Sequence, residues 1–309
     1  MTIVEFSWKH STRNNIVKLY CSYNNFVSPY VMHYDYLKKS FVASLDINYG
    51  SYQYKFTVND IWMYDITKPI ITDNDGNINN LIIVEPENII NIVHISDTHS
   101  IYNADLSGDI LIHSGDFSIG GHPNEYEMFN NWLGNLNFKY KVVVLGNHDL
   151  DYFNDNGIDP YLKANELLTN AIVLNFTNIE LCGIKFYGNP WYLAHNWNNT
   201  YKQNSSPILF EYKIPSDIDI LITHSPPFLF CDDYAGSKIL LKNIEQTQPK
   251  AHLFGHIHQK YGYAKHTWSS NNTTYFINSS MVTQDSKIIC NTPHYIKYDI
   301  LTKSIISVN

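Results

Sequence analysis

Eight side chains in this 309-residue sequence have the types and spacing to build a centre around divalent metal ions: Asp97, His99, Asp116, Asn147, His148, His224, His256 and His258. Carboxylates, imidazoles and an amide oxygen, with no thiolate among them, suit borderline-hard ions such as manganese, iron or zinc rather than a structural zinc. Even seven such ligands exceed what one ion with open coordination positions needs. Two ions are therefore expected, with Asp116 placed in the order to bridge them.

Each group of donors follows an apolar run. Ile89–Ile95 precedes Asp97-Thr98-His99, and Ile110–Ile112 precedes Gly115-Asp116. Val142–Leu145 leads to Gly146-Asn147-His148-Asp149, Ile218–Ile222 to Thr223-His224, and Ala251–Phe254 to Gly255-His256-Ile257-His258. Continuous runs of this kind suit strands covered on both faces. In open α/β sheets the carboxyl ends of strands converge on one crevice, which would gather these side chains. Helices are predicted over Asn124–Leu136, Pro160–Leu168 and Ser237–Gln246, with further strands from Thr274 onward. The glycines before Asp116, Asn147 and His256 let the backbone turn sharply and approach closely. A lone Asp-x-His pair, or a lone buried histidine, is most often structural. Five such elements in order, each at a strand end, are not. His113, His122, His195 and His252 lack that support and read as structural or peripheral.

Residues 1–84 have a different texture. Short alternating strands at Ile16–Ser22, Phe41–Leu45, Tyr52–Val58 and Leu81–Val84 are separated by Asn- and Gly-containing turns, the pattern of an all-β sandwich. The change of texture at Glu85-Pro86-Glu87-Asn88 divides the chain into residues 1–86 and 87–309. In Tyr52–Val58 the period of two puts Tyr52, Tyr54, Phe56 and Val58 on the core face and Lys55 on the other. Trp62, near Lys55, Asn79 and Asn80, either stacks on a sugar ring or packs on the sandwich edge. The residues alone leave both open.

The formal net charge of −8 argues against a surface that tracks nucleic-acid phosphates. An anionic substrate would then rely on bound metal ions for positive charge. The four cysteines lie far apart with no CxxC pair, which argues against a disulfide framework or zinc ribbon and fits a reducing cytosol. Residues 1–20 contain no apolar run of signal-peptide length, and no stretch approaches the roughly 20 apolar residues of a membrane span.

The set Asp97-x-His99, Gly115-Asp116, Gly146-Asn147-His148-Asp149, Thr223-His224 and Gly255-His256-x-His258 resembles the calcineurin-like metallophosphoesterases over about residues 89–282. Phe129-Asn-Asn-Trp-Leu133, Tyr187-Gly-Asn-Pro-Trp191, Ile222-Thr-His-Ser-Pro-Pro227 and Phe254-Gly-His-Ile-His-Gln259 are similar to the metallophosphoesterase-domain-containing (239FB-type) branch. The resemblance implies an α/β fold, a four-layered αββα sandwich. It assigns Asp97, His99, Asp116 and His258 to one metal, and Asp116, Asn147, His224 and His256 to the other. Manganese is the first expectation for the two divalent ions, with iron or zinc as alternatives. It also implies hydrolysis of phosphodiesters by a metal-bridging hydroxide, with 2′,3′-cyclic nucleotides as favoured substrates. His148 would protonate the departing oxygen without ligating metal, and Asp149 would fix its tautomer. His256, without which the second site would empty, is present, so full activity is expected. Gly188-Asn189-Pro190-Trp191 replaces the family's Gly-Ser-Pro-Trp, and the following Tyr192–Ser206 segment is the expected place for base contacts.

Phe6-Ser-Trp8, Tyr23-Asn-Asn-Phe26, Tyr52-Gln-Tyr-Lys-Phe56, Trp62-Met-Tyr-Asp65, Pro69 and Gly76-Asn-Ile-Asn-Asn-Leu81 resemble the glycogen-binding module of the AMP-activated protein kinase beta subunit. That likeness implies an immunoglobulin-like sandwich with Lys55, Trp62 and Asn79 at glucan-contacting positions. Phe26 stands where the family has a second stacking tryptophan, and Asn77 replaces a threonine. Three readings follow: a phosphodiesterase of small nucleotides, a glucan-targeted phosphatase acting on glycogen or starch phosphate esters, and a non-catalytic glucan-binding scaffold.

Overall fold

The computed structural model describes residues 2–86, 88–102, 105–190, 213–283, 285 and 288–309. The chain divides into two compact units, Met1–Glu87 and Asn88–Asn309. Among the described residues no helix is long and apolar enough to cross a membrane.

The first unit contains β1 (Thr2–Trp8), β2 (Val17–Cys21), β3 (Tyr30–Val31), β4 (His33–Asp35), β5 (Ser40–Ile47), β6 (Gly50–Val58), β7 (Ile61–Met63), β8 (Ile70–Thr72) and β9 (Ile78–Val84). One sheet runs β1-β5-β4 and the other β3-β2-β6-β9-β8, with β7 paired to β6. Side chains from both sheets, among them Phe6, Trp8, Leu19, Phe41, Ile47, Tyr54 and Phe56, form a single core. Alternation along β6 turns Tyr54 and Phe56 inward. In register, Tyr20 lies opposite Lys55 and Trp62 opposite Thr57, so these four share the outer face. The exposed β7 and β8 bury no side chain and so lack the apolar alternation by which strands are read from sequence.

The second unit holds two six-stranded sheets. The first comprises β10 (Ile89–Ile95), β11 (Ile110–His113), β12 (Tyr140–Val143), β13 (Ile172–Val173), β20 (His294–Asp299) and β21 (Ser304–Val308), in the order β13-β12-β11-β10-β20-β21. The second comprises β14 (Thr177–Leu181), β15 (Ile184–Asn189), β16 (Ile220–Thr223), β17 (Ala251–Phe254), β18 (Gly262–Thr267) and β19 (Thr273–Asn278), in the order β14-β15-β16-β17-β19-β18. Strands β10 to β13, and β15, β16, β17 and β19, pair in parallel, so their carboxyl ends lie along common edges.

Each apolar run serves two cores. Ile92, Ile110, Ile112 and Val142 meet Phe186, Ile220, Ile222 and Leu253 between the sheets. Their neighbours Val93, Ile95, Leu111 and Val143 pack instead under α1 (Pro123–Asn135), α2 (Asn147–Asp155) and α3 (Pro160–Leu167), against Tyr126, Phe129, Leu133 and Phe153. On the second sheet, Leu221, Phe254 and Phe276 are covered by Leu240 and Ile244 of α4 (Lys238–Thr247). The layers are therefore αββα, and continuous apolar strands are what such burial on both faces requires.

Helix α2 was not expected from sequence. It begins at Asn147, inside the donor motif, because the Asp149 carboxylate accepts the Gly146 N–H at 2.9 Å and caps the first turn. The β14–β15 hairpin also lies outside the expected elements, since Thr177–Leu181 buries only Leu181.

Candidate metal centre

The donors converge at the carboxyl ends of β10, β11, β12, β16 and β17. Ligand atoms of Asp97, His99 and His258 lie within 4.8 Å of one another, as do those of Asp116, His224 and His256, and those of His99, Asp116 and His148. Asp97 and Asp116 are 0% and 2% exposed, and His224 is 0% exposed. Asn147 joins the second group through its Oδ1, 3.1 Å from His224 Nε2. All eight residues singled out from the sequence are thus brought together.

Main-chain carbonyls fix which nitrogen of two imidazoles faces the centre. His224 Nδ1 donates to Ser114 O at 2.9 Å and His258 Nδ1 to Thr283 O at 2.9 Å. Each ring therefore turns Nε2 inward: His258 Nε2 lies 3.2 Å from Asp97 Oδ1, and His224 Nε2 lies 3.1 Å from Asp116 Oδ2. Such outer partners orient ligands and raise their basicity. The His256 N–H and the Ser280 hydroxyl both donate to Asp97 Oδ2, at 2.9 Å each.

The backbone is bent to bring the groups in. Asp97, His99, Asp116 and His256 all have φ between 43° and 69°, a region that non-glycine residues adopt at a cost of order 1–3 kcal/mol each. Strain of this kind persists only where surrounding structure holds it. A Cβ added at Gly146 would fall 2.1 Å from Asp116 Oδ1, and one at Gly255 would fall 2.0 Å from Asp97 Oδ2. Glycine at these positions is what lets the two loops close on the carboxylates.

The fit to metal ions can be tested on His99. Its ring is 2% exposed, yet neither nitrogen has a hydrogen-bond partner. A buried imidazole left unsatisfied costs about 1–3 kcal/mol, and a cation between His99, Asp97 and His258 would take up the lone pair of one of its nitrogens. The second group points the same way. Asp116 Oδ2, Asn147 Oδ1 and His256 Nδ1 stand 3.1–3.2 Å from His224 Nε2, a gathering of lone pairs that a cation satisfies. Burial opposes protonation of His224, but the Asp116 and Asp97 carboxylates outweigh it and raise its pKa to about 9. Burial likewise opposes ionisation of Asp97 and Asp116, yet the neighbouring imidazoles hold both below the usual carboxylate range.

The structure corrects the role given to Asp149. Its carboxylate does not touch His148: it accepts from the N–H groups of Asp116, Ser118 and Gly146 at 2.8, 3.0 and 2.9 Å, and from the Ser118 hydroxyl at 2.7 Å. Burial and the Asp116 charge push Asp149 up to about 7, against these four donors. The partner that sets the His148 tautomer is the Ile119 carbonyl, 2.7 Å from Nδ1. Burial lowers the His148 pKa, but Asp116, the Ile119 carbonyl, Asp149 and Asp151 outweigh it, so the value lies above the ordinary one.

Two histidines with no assigned role brace the centre. His113 Nδ1 accepts the Gly115 N–H at 3.2 Å, so its Nε2–H faces Thr98 Oγ1 at 3.1 Å and ties two ligand loops together. Burial pushes its pKa down to about 3 and keeps it neutral. His94 links Ser114, whose carbonyl holds His224, to Ser279 and through it to His294. The only sequence signal was a histidine inside an apolar strand. His122 is the N-cap of α1, and His252 bonds Thr223 Oγ1 at 2.7 Å. Trp191, His195 and the Tyr192–Ser206 segment lie outside the described residues.

On the first unit, Trp62 is 52% exposed, its ring lies 4.5 Å from that of Tyr20, and Lys55 Nζ stands 6.0 Å from its centroid. Phe26 is half-buried. Asn79 is only 5% exposed, and its amide donates to Gln53 Oε1 at 2.8 Å, so it braces the sheet more than it faces solvent.

The family model described as calcineurin-like phosphoesterase matches residues 90–260, and the model described as the glycogen recognition site of AMP-activated protein kinase matches residues 2–90. The chain is 33% identical over 227 residues to human metallophosphoesterase domain-containing protein 1, covering 64% of this chain and 68% of that protein. It is 37% identical over 223 residues to a UPF0046 protein of Caenorhabditis elegans, covering 63% of this chain and 76% of that one. A segment of 45 residues is 49% identical to the mouse 5′-AMP-activated protein kinase subunit beta-2, covering 15% of this chain and 17% of the subunit.

Proposed function

We propose that this chain, which belongs to the calcineurin-like phosphoesterase family, hydrolyses phosphodiesters, with small 2′,3′-cyclic nucleotides as its substrate class. Membership makes it a metal-dependent phosphoesterase and sets aside the scaffold reading. The observation that carries the metal-dependent reading is His99, a buried imidazole with both nitrogens unsatisfied among carboxylates and histidines.

Asp97, His99, Asp116 and His258 would hold one ion, and Asp116, Asn147, His224 and His256 the other. Manganese is the ion the proposal starts from, with iron or zinc as alternatives. When bound, the ions supply Lewis acidity toward phosphoryl oxygens and lower the pKa of water enough for hydroxide chemistry at neutral pH. His148, with its Nδ1–H held on the Ile119 carbonyl, keeps Nε2 for delivering a proton to the departing alkoxide oxygen. Asp149 holds the Asp116 and Ser118 amides and so shapes the loop beneath that ring.

The first unit would bind an α-glucan through Trp62 and Lys55, with Phe26 as a further contact and Asn79 bracing the sheet through Gln53; the exposed Trp62 ring favours this role. Its match to a glycogen recognition site also favours a second reading, a phosphatase acting on phosphorylated glycogen or starch. Four free cysteines agree with a cytoplasmic location. A substrate panel run with exchanged metals separates the readings. The manganese-loaded protein is expected to hydrolyse bis-p-nitrophenyl phosphate and 2′,3′-cyclic AMP. Inert cyclic AMP with release of phosphate from amylopectin would overturn the nucleotide reading in favour of the glucan one.

A further inference from the structure

We infer that Glu125 is a positioning residue for His148, acting through the Ile119 carbonyl. The inference rests on the role proposed above for His148 as the proton donor. Glu125 occupies the third position of α1, and its Oε2 accepts the His122 N–H at 3.0 Å, the bond an ordinary capping box makes. The carboxylate goes well beyond a cap. Oε1 accepts from Ile119 N at 2.8 Å and from Ser100 Oγ at 2.9 Å, and Oε2 also accepts from Gly120 N at 3.2 Å. Four donors fill the lone-pair capacity of one carboxylate.

These contacts run to the two sides of the centre. Ser100 follows His99 directly and has φ of 62°, while Ile119 presents the carbonyl that receives His148 Nδ1–H at 2.7 Å. The same loop is pinned at Gly120 O by the Tyr152 N–H of α2, the helix that carries His148. With Ile119 N and Gly120 N both held on one rigid carboxylate, the peptide bearing the Ile119 carbonyl keeps a fixed direction. The His148 ring, 4.8 Å from the His99 ring and nearly perpendicular to it, keeps its direction in turn. Burial works against the Glu125 charge, but the donated hydrogen bonds outweigh it and hold the carboxyl below its usual range.

Glu125→Gln separates a cap from a clamp. A capping box accepts glutamine as readily as glutamate, so a merely structural role leaves catalysis nearly unchanged. The clamp instead loses an acceptor oxygen, because an amide NH2 then confronts backbone N–H groups. The readout is kcat on two manganese-loaded diester substrates, one with a p-nitrophenolate leaving group and one with a poor alkoxide leaving group. Proton donation matters far more for the second. Glu125→Gln should lower kcat about 10–100-fold on the alkoxide substrate, the usual range for an outer positioning contact, with less effect on the nitrophenyl substrate and little change in KM. His148→Ala should show the same selectivity, and the double variant should lose little more than His148→Ala alone.

If His148→Ala is selective while Glu125→Gln is equally active, or equally impaired, on both substrates, the inference fails and the role of His148 stands. If His148→Ala itself lacks selectivity, the proton-donor role fails and takes this inference with it. Should Glu125→Gln not fold, Glu125→Asp keeps the charge but falls one methylene short of its donors, and the same two-substrate ratio decides.

Discussion

The two units set their candidate working residues in opposite surroundings. In the first, Lys55 and Trp62 stand on the outer face of paired strands, and Trp62 is 52% exposed. In the second, Asp97, Asp116 and His224 are at most 2% exposed and lie at the ends of parallel strands. An aromatic face for a neutral sugar asks only for a flat ring held at a rigid edge. A metal centre asks for buried donors whose charges and lone pairs the protein alone leaves uncompensated. A glucan site of that kind would leave function and folding nearly separable in the first unit, whereas a metal centre would couple them in the second.

That contrast can be broken by mutation. Asp116→Ala removes the carboxylate common to both donor groups and should lower phosphoester hydrolysis by several kcal/mol of barrier, roughly 10³-fold or more. Glycogen co-sedimentation should be unchanged, and a parallel loss of both would mean that the units do not act separately. Phe56→Ala, in the fully buried core of the first unit, should cost about 3–5 kcal/mol of that unit's stability. Hydrolysis measured below its melting temperature should persist.

Acidity sharpens the contrast. In the metal-free protein His224 has its pKa raised to about 9 from an ordinary 6.5, so protonation favours the folded state. That contribution is fully present below pH 6.5 and is lost as pH rises through about 9. Thermal melts over this window should show the second unit losing stability, and metal loading should abolish the trend by replacing the proton. Melts that run parallel with and without metal would count against His224 as a ligand. The smallest effect belongs to Trp62→Ala, which should change stability by no more than about 0.5 kcal/mol while weakening glycogen co-sedimentation. Equal recovery of variant and parent would remove Trp62 from the glucan surface.

How far the sequence was legible follows from what each residue does. The convergence of the candidate donors could be read because their side chains are chemically distinctive and each follows an apolar strand, as at Ala251–Phe254 before His256. The layers could be read because Ile92 and Val93 point to different cores, which forces unbroken apolar runs. What could not be read travels through the main chain. The Ile119 carbonyl has no side-chain signature, so Asp149, the nearest acid in sequence to His148, looked like its partner. Helix α2 was hidden because its first residues are the donors themselves, and β7 and β8 because they bury nothing.

The Ile119 contact has an evolutionary consequence. A hydrogen bond that ends on a main-chain oxygen survives any ordinary replacement of the residue that supplies it. The side chain at the same position is 58% exposed and is free to vary. Position 119 can therefore drift in size and polarity while the imidazole keeps its proton on the same nitrogen.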